Sequence, residues 1–206
     1  MKGIDVSQFN IVRSFEQVKD SGMDFVIVRL TGSKSGKIYH DVRGYEYVRA
    51  AAAAGLHVGA YAFTRPDLSG YNYLDDALFF LDYMPKDVRL TMPVYIDVEG
   101  WTKNKAKNTE YVHNFCKTLE ERGYYAGIYG SDISTFKDLL FKDNLKHWTW
   151  WVARYGNEPS YARDSMGIWQ KTSTGQVPGV LGNVDMDICY KNFPDAILKH
   201  NLNIRR

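Results

Sequence analysis

Short apolar, β-branched runs alternate with helix-like segments along most of this chain, and that alternation restricts the fold more than any other feature. The strand candidates are Gly3 to Phe9, Phe25 to Leu30, His57 to Phe63, Pro93 to Glu99 and Tyr125 to Tyr129. Helical segments separate them. Ser14 and Gln17 are spaced as a capping box for a short helix that stops at Gly22. His40 to Ala54 is Ala-rich and closed by Gly55, and Asn72 to Met84 stops at Pro85. Asn108 to Arg122 is the clearest amphipathic helix, with Tyr111, Val112, Phe115, Cys116 and Leu119 on one face and Gly123 at its end. A short helix is expected from Asp132 to Leu140. Beyond it, Trp148 to Tyr155, Gly167 to Lys171 and Val184 to Tyr190 read as strands joined by loops, and Pro194 to His200 as a last short helix. This order predicts an α/β fold, an irregular TIM-like barrel of about eight strands with its helices reduced in the last third. A doubly wound open sheet is the rival, and no Gly-x-Gly-x-x-Gly or phosphate loop supports it.

Residues 1–206 suit a single domain with a sizeable core. A net charge of +2, from 26 basic and 24 acidic residues, argues against nucleic acid as a partner. No apolar run approaches the roughly 18 residues of a membrane span. Gly3-Ile4-Asp5-Val6 reads as a strand, so no signal peptide is expected. Cys116 and Cys189 are expected to be free, buried thiols. Fifteen Tyr, ten Phe and five Trp are many for this length, and aromatics beyond the needs of a core offer flat faces to sugar rings.

In a βα barrel the site lies where the strands end. Pro93 to Gly100, Pro-Val-Tyr-Ile-Asp-Val-Glu-Gly, ends a buried strand in two carboxylates, Asp97 and Glu99. Side chains alternate along a strand, so both point to one side and Val98 to the other. Two such neighbours resist joint ionisation, and one should hold its proton above the ordinary Glu value of about 4.3. A protonated acid beside an ionised one suits glycoside cleavage. A structural ion pair with a Lys or Arg is the plainer reading. Other polar residues near strand ends are Asp5, Tyr61, Tyr129, Trp151, Gln170 and Asp185. Each has a structural alternative: a turn into Ser7 for Asp5, core packing for Tyr61, Tyr129 and Trp151, a loop tie for Gln170. Asp185 and Asp187 share parity, which leaves room for one to face solvent. The five histidines are scattered and join no carboxylate at metal-ligand spacing, so no metal and no cofactor are expected. No Gly-x-Ser-x-Gly elbow is present.

Several blocks are similar to the motifs of family 25 glycoside hydrolases, the lysozymes (N-acetylmuramidases) of phage endolysins and bacterial autolysins. They are Gly3-Ile4-Asp5-Val6-Ser7-Gln8, Gly55 to Tyr61, Asp97-Val98-Glu99, Gly127-Ile128-Tyr129, Trp151 to Tyr155, Trp169-Gln170 with Thr172-Ser173, and Gly182 to Asp185. The resemblance implies an irregular barrel and cleavage of the β-1,4 bond between N-acetylmuramic acid and N-acetylglucosamine. It implies Glu99 as general acid, Asp97 as its partner, Asp5 and Asp185 as two further acids, and Tyr61, Tyr129, Trp151 and Gln170 in blocks that line the groove. The expected partner is the glycan strand of bacterial peptidoglycan, met by a monomer acting on the cell wall after lysis or secretion. A chitinase-like enzyme and a non-catalytic wall-binding module are the alternatives. The sequence departs from the family pattern at Ala62, at Ile11 to Phe15 and along Arg65 to Tyr73. These departures touch the groove rim and leave the four acids in place.

Overall fold

The computed structural model describes residues 1–204. In chain order its elements are β1 (Lys2–Val6), β2 (Ile11–Val12), α1 (Phe15–Asp20), β3 (Phe25–Lys34), β4 (Lys37–His40), α2 (Gly44–Ala53) and β5 (His57–Thr64). There follow α3 (Pro66–Ser69), α4 (Tyr73–Asp82), β6 (Val94–Val98), α5 (Lys105–Glu121), β7 (Ala126–Ser131) and a 3₁₀ turn at Lys142–Leu145. The chain continues through β8 (Thr149–Ala153), β9 (Met166–Gly175), β10 (Val180–Leu181), β11 (Val184–Cys189) and α6 (Phe193–Lys199).

Eight strands close a mixed barrel in the order β1-β3-β5-β6-β7-β8-β9-β11 and back to β1. From β1 round to β9 every neighbour is parallel. The last strand, β11, is antiparallel to both β9 and β1. A parallel pair needs a long crossover, usually a helix, whereas an antiparallel pair does not. The helix-poor last third therefore closes the barrel by an antiparallel return. Its connection carries β10, which pairs with β2 outside the barrel.

Alternation sorts each strand. On β3, Val26, Val28 and Leu30 face the outer helices, while Phe25 and Ile27 fill the barrel. Glycines make room for the large interior rings. A Cβ on Gly127 would lie 2.4 Å from the Tyr95 ring, and one on Gly3 2.5 Å from the Phe25 ring. α6 stoppers the end of the barrel opposite the strand C-termini, with Phe193 and Ile197 packed into the interior cluster. Asn203 then ties the tail down: its Nδ2 donates to the Leu90 and Met92 carbonyls at 3.0 and 2.9 Å, and its Oδ1 accepts from the Tyr125 N–H at 2.7 Å.

Two sequence expectations need correction. The helix expected from His40 begins at Gly44, because Lys37–His40 pairs back along the end of β3 as a hairpin. Asp132 to Leu140 forms successive turns, not a helix. The Asp132 carboxylate accepts from the backbone N–H groups of Ser160, Tyr161 and Ala162 and from Arg154, so it is drawn off the local backbone. Thr135 likewise spends its hydroxyl on the Val98 carbonyl. Both Cys116 and Cys189 are free and buried. No helix among the described residues is long and apolar enough to cross a membrane.

Candidate active site

Each barrel strand brings a side chain to one mouth. Asp5 comes from β1, Arg29 from β3, Tyr61 from β5 and Asp97 from β6, with Glu99 just beyond its end. Tyr129 comes from β7, Trp151 from β8, Gln170 from β9, and Asp185 and Asp187 from β11. Register sets the neighbours: Asp5 is paired with Asp185, Arg29 with Tyr61, Asp97 with Tyr129, and Gln170 with Asp187.

A hydrogen-bonded chain runs across this arc. Tyr129 Oη donates to Gln170 Oε1 at 2.8 Å, and Gln170 Nε2 donates to Asp5 Oδ2 at 2.8 Å. Tyr155 Oη adds a longer contact to the same Gln170 oxygen at 3.3 Å. Below it, Trp151 Nε1 donates to Asp187 Oδ1 at 2.8 Å. Trp151 is 1% exposed, and its ring lies 4.3 Å from that of Tyr129 and 5.3 Å from that of Tyr95. It is thus a floor beneath the site and no open platform. Gln170 is also buried, while Tyr61 and Tyr129 are nearly so. Glu99 stands at the rim, with part of its surface open and its carboxyl crowded by protein, beside a cavity of about 410 Å³ shared with Trp101, Lys103, Ser134 and Asp138.

Five carboxyls crowd one another here, and burial works against charge on all of them. Asp97 is pushed well above the ordinary carboxylate range by burial and then by Glu99, with Arg29 opposing. Asp5 is raised by burial and by Asp187 and Asp185, against the Gln170 hydrogen bond. Asp187 is raised by burial, against the Trp151 N–H. Glu99 is raised by burial and by Asp185, while the Tyr129 hydroxyl pulls it down. Burial lifts Asp185 to about 6. Such a set titrates jointly, with burial and mutual repulsion holding its protons above the ordinary carboxylate range. The mouth can therefore both donate a proton and stabilise positive charge. Among the described residues no group of three or more His, Cys, Asp or Glu side chains is arranged to hold a metal ion.

All eight residues singled out from the sequence meet at this mouth. Two more were not singled out. Asp187 shares parity with Asp185 and turns into the barrel with it, where it is 2% exposed. Arg29 is the one charged residue in the apolar run from Phe25 to Leu30, and that anomaly is the signal that marks it. A recess of about 680 Å³ between the C-terminal ends of α4 and α5 includes none of these residues.

The family model described as glycosyl hydrolases family 25 matches residues 4–180. Its span stops short of β11, so Asp185 and Asp187 lie outside the match. The chain is 29% identical over 206 residues to the autolytic lysozyme of Clostridium acetobutylicum, covering 96% of this chain and 57% of that protein. It is 28% identical over 155 residues to the probable GH family 25 lysozyme 3 of Dictyostelium discoideum, covering 72% of this chain and 32% of the other. The chain thus spans between about a third and somewhat over half the length of these two relatives. The bacterial lysozyme from Streptomyces coelicolor shares the fold with a TM-score of 0.76 at 24% identity, over 93% of this chain and 92% of that one.

Proposed function

The chain belongs to glycosyl hydrolase family 25, and on that footing we propose that it is a muramidase, a single catalytic domain that hydrolyses the glycan strands of bacterial peptidoglycan. The observation that carries this reading is the Asp97–Glu99 pair at the end of β6, with Asp97 buried and Glu99 at the rim of the mouth. The scissile bond is the β-1,4 bond from N-acetylmuramic acid to N-acetylglucosamine. One chain supplies every strand of the barrel, which favours action as a monomer.

Glu99 holds the proton and gives it to the leaving oxygen. The acetamide oxygen of the muramic residue attacks its own anomeric carbon as the glycosidic bond breaks. Asp97 accepts a hydrogen bond from the acetamide N–H and balances the positive charge that develops on the resulting ring. Water then attacks the anomeric carbon, Glu99 takes its proton, and the acetamide is restored. Two displacements retain the anomeric configuration. Asp185 holds Glu99 in its protonated form, and Gln170 fixes Asp5 at the far wall of the mouth.

The test is digestion of purified walls followed by mass analysis of the new reducing ends. They should be muramic acid. Glu99→Gln should lower the rate by at least roughly 10²-fold without loss of fold. Reducing ends on glucosamine would overturn the bond assignment. Cleavage of chitin oligomers with walls left intact would favour a chitinase.

A further inference from the structure

Arg29 stands in the catalytic mouth with a partner on one side only. Its Nε donates to Asp41 Oδ2 at 2.7 Å, and both side chains are buried. Asp41 is itself fixed, because its carboxylate also accepts from the backbone N–H groups of Gln8 and Arg43, each at 3.0 Å. The guanidinium is therefore held in one orientation. The Phe9 ring covers it, with its centroid 4.9 Å from Cζ. The outer edge is unsatisfied: Nη2 is buried and has no hydrogen-bond partner. Asp97 Oδ1 is buried and unpartnered in the same way.

The register explains how these two orphans share one mouth. Arg29 on β3 pairs with Tyr61 on β5, and Phe63 on β5 pairs with Asp97 on β6. Both charged side chains point inward from the strands that flank β5. They do not form a direct ion pair. An unscreened cation in a water-poor interior acts over a longer range than one in solvent. Asp97 also faces Glu99 beyond its own strand, Tyr61 on β5, Tyr129 on β7 and Asp5 on β1. Of these only Glu99 and Asp5 can carry charge near neutrality, and their charge is negative. Arg29 is the group that opposes them at Asp97, and Glu99 receives no comparable help from it.

We propose that Arg29 is a positioning residue that favours the charged form of Asp97 beside the proton donor Glu99. The inference rests on the muramidase reading for its purpose, but its test does not need turnover. Asp41 moderates the effect from behind.

The test is a carbon-13 NMR titration of the Asp97 and Glu99 carboxyls in the full chain, with signals assigned from Asp97→Asn and Glu99→Gln. Arg29→Gln combined with Asp41→Asn replaces the buried ion pair by a neutral one. Asp97 should then ionise at higher pH than in the parent. Arg29→Lys keeps the charge and the Asp41 partner, and Asp97 should titrate close to its parent value. Asp41→Asn alone unmasks the cation, so Asp97 should ionise at lower pH. With walls as substrate, the acid limb of kcat should move in the same directions. At the optimum, kcat of the neutral-pair variant should fall by roughly tenfold with little change in KM. An unchanged Asp97 titration in a folded neutral-pair variant overturns the inference. So does an Arg29→Lys variant that shifts as far as the neutral pair. If the neutral pair fails to fold, Asp41→Asn decides, because an Asp97 titration that does not move to lower pH in that variant overturns the inference. A parent chain that leaves walls intact overturns the muramidase reading alone, since the titration stands without it.

Discussion

Asp185 and Tyr129 act on Glu99 in opposite senses, and this makes the role of Glu99 separable from its neighbours. Burial and then the like charge of Asp185 raise the Glu99 carboxyl, and the Tyr129 hydroxyl beside it lowers it. With Glu99 as the proposed acid, the alkaline limb of the pH–rate profile should report loss of its proton. Asp185→Asn should therefore move that limb to lower pH, and Tyr129→Phe should move it to higher pH. Initial rates of wall lysis across buffers from pH 4 to 9 would show both shifts. Two limbs moving the same way would mean that Glu99 is not the acid. Because Asp185 is raised to about 6 by burial, its own charge is only partly formed at mildly acidic pH. Its effect should fade below that value.

At the level of elements, the α4–α5 contact carries a buried acid that the reaction does not use. Asp76 on α4 accepts a hydrogen bond from the Tyr111 hydroxyl on α5 and is 4% exposed. Burial, partly offset by that hydrogen bond, raises it from 3.8 to about 6. The folded state thus binds a proton that the unfolded chain has already released. By linkage, this contribution is greatest below pH 4, declines as pH rises through about 6, and is flat above. Asp76→Asn keeps an acceptor for Tyr111 and cannot ionise. It should gain about 1–3 kcal/mol over the parent above pH 7 and lose that advantage near pH 4. Urea unfolding at the two pH values would measure the difference.

For the whole molecule, closure at the far end matters as much as the mouth. Phe193 is 1% exposed and packs within the barrel end, its ring 5.5 Å from that of Tyr125. Phe193→Ala should cost about 3–5 kcal/mol through lost burial and a cavity. That corresponds to a fall in Tm of roughly 6–20 °C for a domain of this size. The carboxyl mouth lies at the other end, so lysis at low temperature should change little. Gly127→Val should have a broader effect. Its added carbons would strike the Tyr95 ring and Thr149 Cγ2, where a Cβ already falls at 2.4 and 2.9 Å. We expect the purified variant to lose the cooperative thermal transition.

What the sequence determined by itself was local. Period-two and helical spacing gave β1, β3, β5, β6, β7, β8, β9 and β11, and the helices α1, α2, α4, α5 and α6. Parity put Asp97 and Glu99 on one side, because the rule needs only adjacent residues. Turn and hairpin pieces escaped it. Two-residue strands such as β2 and β10 are too short to show a period, and β4 lay hidden at the start of a helix-like run. The Asp132 segment needed its distant partners to be understood. Tertiary structure alone decided which sides face inward together and which groups meet. The bond from Gln170 to Asp5 spans 165 residues, and no local pattern encodes it. Trp151, equally consistent with groove or core from its spacing, became a buried floor because Tyr61, Tyr95 and Tyr129 from three other strands pack against it. Arg29 and Asp187 joined the site for the same reason: inward parity is a local property, but proximity to Asp97 or Asp5 exists only once the antiparallel β11 closes the barrel.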